Sequence, residues 1–183
     1  MDRRQRKTRD AIFTALIALL SKKEFAKITV GEIIDRADIG RATFYSHFET
    51  KDDLIKALCE ELFCHIFDAA NNEHHAHQHI FDCEPPESVF LHLLRHMQKN
   101  DNHILDLLSS QNNDLFLRHF KQSLQTLIEH QLPLFASKKS EQLPDDFWMN
   151  HITSTFVDTV QWWIKTGMRE TPETIHAYFF MAV

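Results

Sequence analysis

Thirteen histidines and three cysteines carry the chain's capacity to ligate metals or exchange thiols. His74, His75, His77 and His79 fall in one short run, with Asp82 and Cys83 just beyond it. Imidazole and thiolate bind zinc, copper or nickel. The run lacks the fixed spacing of a structural zinc site, and a solvated loop is its ordinary explanation. His92 and His96 are four apart, so on a helix they share one face and could chelate an ion. The polar face of an amphipathic helix explains them as well. No metal site and no cofactor are therefore expected. Cys59 and Cys64 are five apart, which on a helix points them to different sides. An odd cysteine count without a C-x-x-C pair does not suggest a disulfide framework, and packed thiols explain the pair better than a redox sensor. No nucleophile motif, P-loop, G-x-G-x-x-G or H-E-x-x-H is present, so no enzyme is expected.

Charge is the second source of chemistry. The net charge of −6 conceals an asymmetry. Residues 1–57 hold 12 Lys/Arg against 9 Asp/Glu, whereas residues 58–183 hold 8 against 17. A basic head on an acidic body suggests that the head meets a polyanion. Arg3, Arg4, Arg6, Lys7 and Arg9 open the chain and suggest a mobile arm near a nucleic-acid backbone, or a solvated tail. The longest apolar runs, such as residues 15–20, are far too short to span a bilayer. No apolar segment adjoins the first residues as a signal peptide requires, so a cytoplasmic protein without a membrane partner is expected.

The elements that must position these groups are helices. Only three glycines and five prolines occur, too few for the turns of an all-β fold. Ile12, Phe13, Leu16, Ile17, Leu19 and Leu20 make one helical stripe. Thr29 and Glu32 have capping-box spacing at the head of a short helix reaching Ala37. Asp38-Ile39-Gly40 breaks it, with Gly40 suggesting a tight turn. A second short helix is predicted over 41–48, and a long one over 51–70 after a cap of Thr50 with Asp53. The pattern stops at 71–86. Helices resume at about 87–99, 103–109, 114–132, 145–166 and 172–183, with a polar connection between Pro133 and Pro144. Gly167 is the expected stop of one and Pro172 the first residue of the next. An all-α chain is expected.

Two short helices around a Gly-containing turn, flanked by longer helices, fit a helix-turn-helix. On the second of them Phe44 and Phe48 share one face. Ala42, Thr43 and Ser46 occupy the opposite side, with Tyr45 and His47 at its edges. That outer face is small and hydroxyl-bearing, and Arg41 at the helix start could reach guanine or a phosphate. A solvated surface on a short core helix would look the same.

The run Ile39-Gly40-Arg41-Ala42-Thr43-Phe44-Tyr45-Ser46-His47-Phe48-Glu49-Thr50-Lys51, with Ile28-Thr29-Val30, Ile33-Ile34 and Ala37 before it, resembles the DNA-binding head of the TetR/AcrR family of bacterial transcriptional regulators. The likeness covers about residues 8–58. It implies an all-α homodimer, with a three-helix helix-turn-helix head at 1–50 and a helical ligand-binding and dimerisation body at 51–183. It implies that Thr29, Arg41, Ala42, Thr43, Tyr45, Ser46, His47 and Lys51 face DNA. Tyr45 and Lys51 match the usual phosphate contacts, and Arg41, Ala42 and Thr43 approach base edges. Gly40 departs from the family pattern, where Ser or Thr commonly caps the recognition helix. Double-stranded operator DNA, a second copy of the chain and a small-molecule effector are the implied partners. The implied role is a repressor released by a small apolar or aromatic effector. A transcriptional activator, or a helix-turn-helix protein-interaction module without an effector, is the alternative.

The body has no comparable motif. Eleven of the 15 phenylalanines and all three tryptophans lie after residue 58. An apolar ligand cavity lined by Phe63, Phe67, Phe90, Phe120, Trp148 and Phe156, with His92, His96 or His119 as a polar anchor, is one expectation. Plain core packing is the other. The dimer interface is expected on 145–166 and 172–183, where the chain end Tyr178-Phe179-Phe180-Met181 is too apolar to face water.

Overall fold

The computed structural model describes residues 3–70, 88–99, 104–109 and 114–183. Nine α-helices lie among them: α1 (Arg3–Leu20), α2 (Val30–Ala37), α3 (Arg41–Tyr45), α4 (Lys51–Ala70), α5 (Val89–Lys99), α6 (Ile104–Ser109), α7 (Asp114–His130), α8 (Asp145–Lys165) and α9 (Pro172–Ala182). Two 3-10 segments, Phe25–Lys27 and Leu132–Lys138, join them, and no strand occurs among the described residues. The His74–His79 run, Asp82 and Cys83 lie outside the described residues.

The first helix already departs from expectation. The basic residues from Arg3 to Arg9 belong to α1 and are not a loose arm. Arg9 is held in place. Its guanidinium lies over the rings of Phe13 and Phe48, at 5.1 and 5.3 Å, and its Nε donates to Glu61 Oε1 at 3.2 Å. One cation thus joins α1, the end of the α3 segment and α4.

The α2–α3 turn is also built differently. The left-handed residue is Asp38, at φ 52° and ψ 50°, and Gly40 sits extended at φ −77°. Asp is one of the few residues that visit this region readily, because its short polar side chain bonds locally. Gly40 instead occupies the N-cap of α3 without any side-chain bond, and α3 is helical only to Tyr45. His47 and Phe48 continue as turns bonded to the Phe44 carbonyl at 2.9 and 3.0 Å.

A single apolar cluster runs from Ile12 to Phe179. Phe48 closes the head between Phe44 and Phe13, with ring centroids 6.0 Å from the first and 5.8 Å from the second. Helix α4 links this head core to the rest. It is buried on most of its circumference, through Leu54, Leu58, Leu62 and Ile66 among others. It packs against α5 and α7, and α8 and α9 close the other side of the bundle. No helix among the described residues is long and apolar enough to cross a membrane.

The expected aromatics are in the body core, in contact with one another. Phe63 meets Phe120 at 5.3 Å. Phe90 meets Phe135, Phe156 and Phe179 at 5.7, 5.8 and 5.3 Å. Trp148 stacks on His151, and Phe67 packs at the cluster's edge against His130. These rings share core positions as edge-to-face and tilted pairs, the geometry the ring quadrupole favours. Of the expected pocket residues, His92 and His96 border an open crevice of about 550 Å³ between α5 and the start of α9. Cys59 is buried and Cys64 exposed, as two residues five apart on a helix must differ. Burial pushes the Cys59 thiol far up, so it stays protonated and inert.

Candidate nucleic-acid interface

Helix α3 is too short to be stable alone. It exists because Phe44 and Phe48 are drawn into the core, both almost wholly buried. That anchoring turns the remaining side chains outward. Arg41, Ala42, Thr43, Tyr45 and Ser46 are exposed, and His47 is half-buried. Tyr45 keeps 48% of its surface in solvent while its ring edge rests on Phe44, centroids 5.5 Å apart. Its phenol therefore stands on a rigid base. Ser46 is committed locally, donating to the Thr43 carbonyl at 2.7 Å.

Thr29 and Lys51 come from two other elements, and Lys51 reaches the segment that leads into Thr29. Thr29 is the N-cap of α2 and forms a complete capping box with Glu32. The Glu32 backbone N–H donates to Thr29 Oγ1 at 3.3 Å, and the Thr29 N–H donates to Glu32 Oε2 at 2.9 Å. Glu32 also accepts from Lys23. The Lys23 bond first, then those from Thr29, hold the Glu32 carboxyl down to about 2. Thr50 and Asp53 form the equivalent box at the start of α4, with Thr50 N–H to Asp53 Oδ2 at 2.9 Å and Asp53 N–H to Thr50 Oγ1 at 3.1 Å.

Lys51 is more than a surface cation. Its Nζ donates to the carbonyls of Phe25 and Ile28, both at 2.9 Å, and lies 4.2 Å from the Phe25 ring centroid. Burial lowers its pKa. An ammonium has three N–H donors. Two are spent on the chain before α2, so one remains for another acceptor. The sequence offers no hint of this bond, because Phe25 and Ile28 contribute only carbonyls, which every residue has.

The result is an exposed, hydroxyl-bearing helix face with one arginine, bordered by two capped helix starts and a clamped lysine. Two family models match this arrangement of elements. The one described as bacterial regulatory proteins, tetR family, covers residues 12–58, and the one described as transcriptional regulator C-terminal region covers residues 84–183. The chain belongs to the TetR family of transcriptional regulators. A solved TetR transcriptional regulator from Streptococcus agalactiae 2603V is 32% identical, with a TM-score of 0.73 over 98% of this chain and 95% of that one. The fatty acid degradation regulator FadR from Bacillus halodurans shares the fold at 18% identity and a TM-score of 0.61, over 94% of each chain. Two Bacillus subtilis (strain 168) HTH-type transcriptional regulators, YxbF and YvdT, are 35% and 32% identical over 71 and 66 residues. Those matches cover 36% of this chain in each case, but only 19% and 34% of the relatives' lengths.

Proposed function

We propose that this TetR-family chain is a dimeric, sequence-specific DNA-binding repressor, with residues 1–50 as the reading head and 51–183 as the regulatory and dimerising body. One observation carries this reading: burial of Phe44 and Phe48 turns Arg41, Ala42, Thr43 and Tyr45 outward on a fixed helix. Arg41 is assigned to a guanine, Ala42 to a thymine methyl, and Thr43 to a base edge. Tyr45, His47 and the remaining N–H of Lys51 are assigned to phosphates, with Thr29 capping a helix start that also faces the backbone.

A second copy is needed because one short helix reads too few bases. Phe147, Trp162, Tyr178 and Met181 on α8 and α9 are exposed, and the Trp162 and Tyr178 rings lie 6.3 Å apart. An apolar face of this kind favours a four-helix contact between two chains. Two heads must then sit about 34–36 Å apart to enter successive major grooves. An effector that prefers a body conformation with another head spacing releases the DNA by its differential affinity.

Gel shifts on the DNA upstream of its own coding region, run across a salt series, test the reading. A dimer by light scattering and a specific, salt-dependent complex are expected. A monomer at micromolar concentration, or equal affinity for operator and random DNA, refutes it.

A further inference from the structure

His65 on α4 and His92 and His96 on α5 converge inside the body. All three are buried, at 8%, 2% and 3% exposure. Their ring centroids form a nearly equilateral triangle with sides of 4.8, 4.9 and 5.0 Å. His96 Nε2 lies 3.0 Å from His65 Nε2 and 3.2 Å from His92 Nε2. One ring nitrogen of each residue lies within 4.8 Å of those of the other two.

The contacts among the three rings cannot all be ordinary hydrogen bonds at once. A neutral imidazole nitrogen carries either one proton or one lone pair. His96 Nε2 can therefore serve one of the two nitrogens it faces well, but not both. A cation serves all three. With metal–nitrogen bonds of about 2.0–2.1 Å, a tetrahedral ion holds its ligand nitrogens about 3.3 Å apart. The 3.0 and 3.2 Å separations are already near that spacing, and the third pair, His65 and His92, lies within 4.8 Å and has to close toward it. Neutral imidazole is the ligating form.

We propose that His65, His92 and His96 form a site for one divalent transition-metal ion, zinc in the first instance, and that this ion is the effector. Three imidazoles leave a fourth position for water, as in open zinc sites. The crevice bordered by His92 and His96 supplies an entry path. Arg95, Lys99 and Glu173 line it, and Arg95 is paired with Glu173 at 2.9 Å, which softens the positive rim.

The regulatory half of the proposal rests on the DNA-binding reading above. Helix α4 carries His65 and, about 21 Å earlier along its axis, Lys51, which is bonded to the head. Glu61, one turn before His65, holds Arg9 of α1. Closing the His65–His92 separation draws α4 toward α5, and a tilt of about 5° would move Lys51 by about 2 Å. That is enough to alter the spacing of two heads.

The test uses the tag-free, chelator-treated, full-length protein in a background where His74, His75, His77 and His79 are all asparagine, so that the histidine run contributes no ligands. Zinc titration against a competing chelator should give one ion per chain at submicromolar Kd. Cobalt(II) should give the visible bands of a tetrahedral nitrogen site, and X-ray absorption three imidazoles on the ion. His65→Gln and His92→Gln should each weaken zinc on the order of 100-fold or more, at least the upper cost of losing an outer-shell partner. The cobalt and absorption spectra of the unsubstituted site decide the ligands even if a variant folds poorly. Loss of tight zinc binding in the asparagine background, or a site indifferent to His65→Gln and His92→Gln, overturns the proposal. Operator affinity is then compared with and without zinc. A change of about 5-fold or more supports the ion as effector, and tight zinc binding with unchanged operator affinity overturns that role. Absence of operator binding in both states overturns the DNA-binding reading and leaves the metal site standing.

Discussion

Lys51→Met separates two roles that one ammonium performs. The substitution keeps an apolar stem beside Phe25 and removes both bonds to the Phe25 and Ile28 carbonyls. A hydrogen bond to a charged group contributes about 1.5–3 kcal/mol. Lys51 is only half-buried, so water replaces part of each bond, and the lower end applies. The ring contact at 4.2 Å adds about 0.5–1 kcal/mol. A loss of about 3.5–4 kcal/mol is therefore expected, a sizeable share of a domain's typical 5–15 kcal/mol. Urea unfolding should be followed by two probes. All three tryptophans lie in α8, so their fluorescence reports the body, whereas far-UV circular dichroism reports every helix. An earlier transition by dichroism than by fluorescence would locate the damage in the head. The remaining N–H predicts, in addition, a fall of about one in the salt slope of DNA binding per head. Unchanged stability by both probes would refute the clamp. Lost stability with an unchanged salt slope would refute the phosphate contact.

Three other substitutions test neighbouring features. Arg41→Ala should cost about 1–3 kcal/mol of operator affinity and little on random DNA, measured by competition gel shift; a proportional loss on both would make Arg41 a phosphate contact instead. Gly40→Ser should stabilise the chain by about 0.5–1 kcal/mol in thermal melts, since its backbone is extended and an added Cβ meets nothing nearer than Thr43 Oγ1 at 3.7 Å. Glu32→Gln should flatten the acid limb of stability. The Glu32 carboxyl is depressed from 4.5 to about 2 in the fold, so its contribution is full above about pH 4.5 and is lost as pH falls toward 2. A variant whose melting temperature falls as steeply as the parent's across that window would show that the Lys23 and Thr29 bonds do not act on the folded state.

Much of this protein was legible in the order of its residues. Helix starts announce themselves through contacts three residues apart, and the Thr29–Glu32 and Thr50–Asp53 boxes form as their spacing requires. Helix faces follow from period alone, so the inward Phe44 and Phe48 and the outward Arg41, Ala42 and Thr43 could be assigned without coordinates. Local periodicity cannot report which helix lies against which. It therefore left open whether the aromatics of the body line a cavity or meet each other, and Phe90 meets rings from residue 135 to residue 179. It read Gly40 as the tight turn because glycine tolerates positive φ, whereas the left-handed residue is Asp38, which caps the end of α2 through its N–H to the Asp35 and Ile34 carbonyls. It paired His92 with His96, four apart on one helix, and passed over His65. A histidine on the buried stripe beside Leu58, Leu62 and Ile66 was the available signal. Only the packing of α4 on α5 brings His65 within 3.0 Å of His96, because a contact between residues 31 apart is set by how two helices dock and leaves no mark in the periodicity of either.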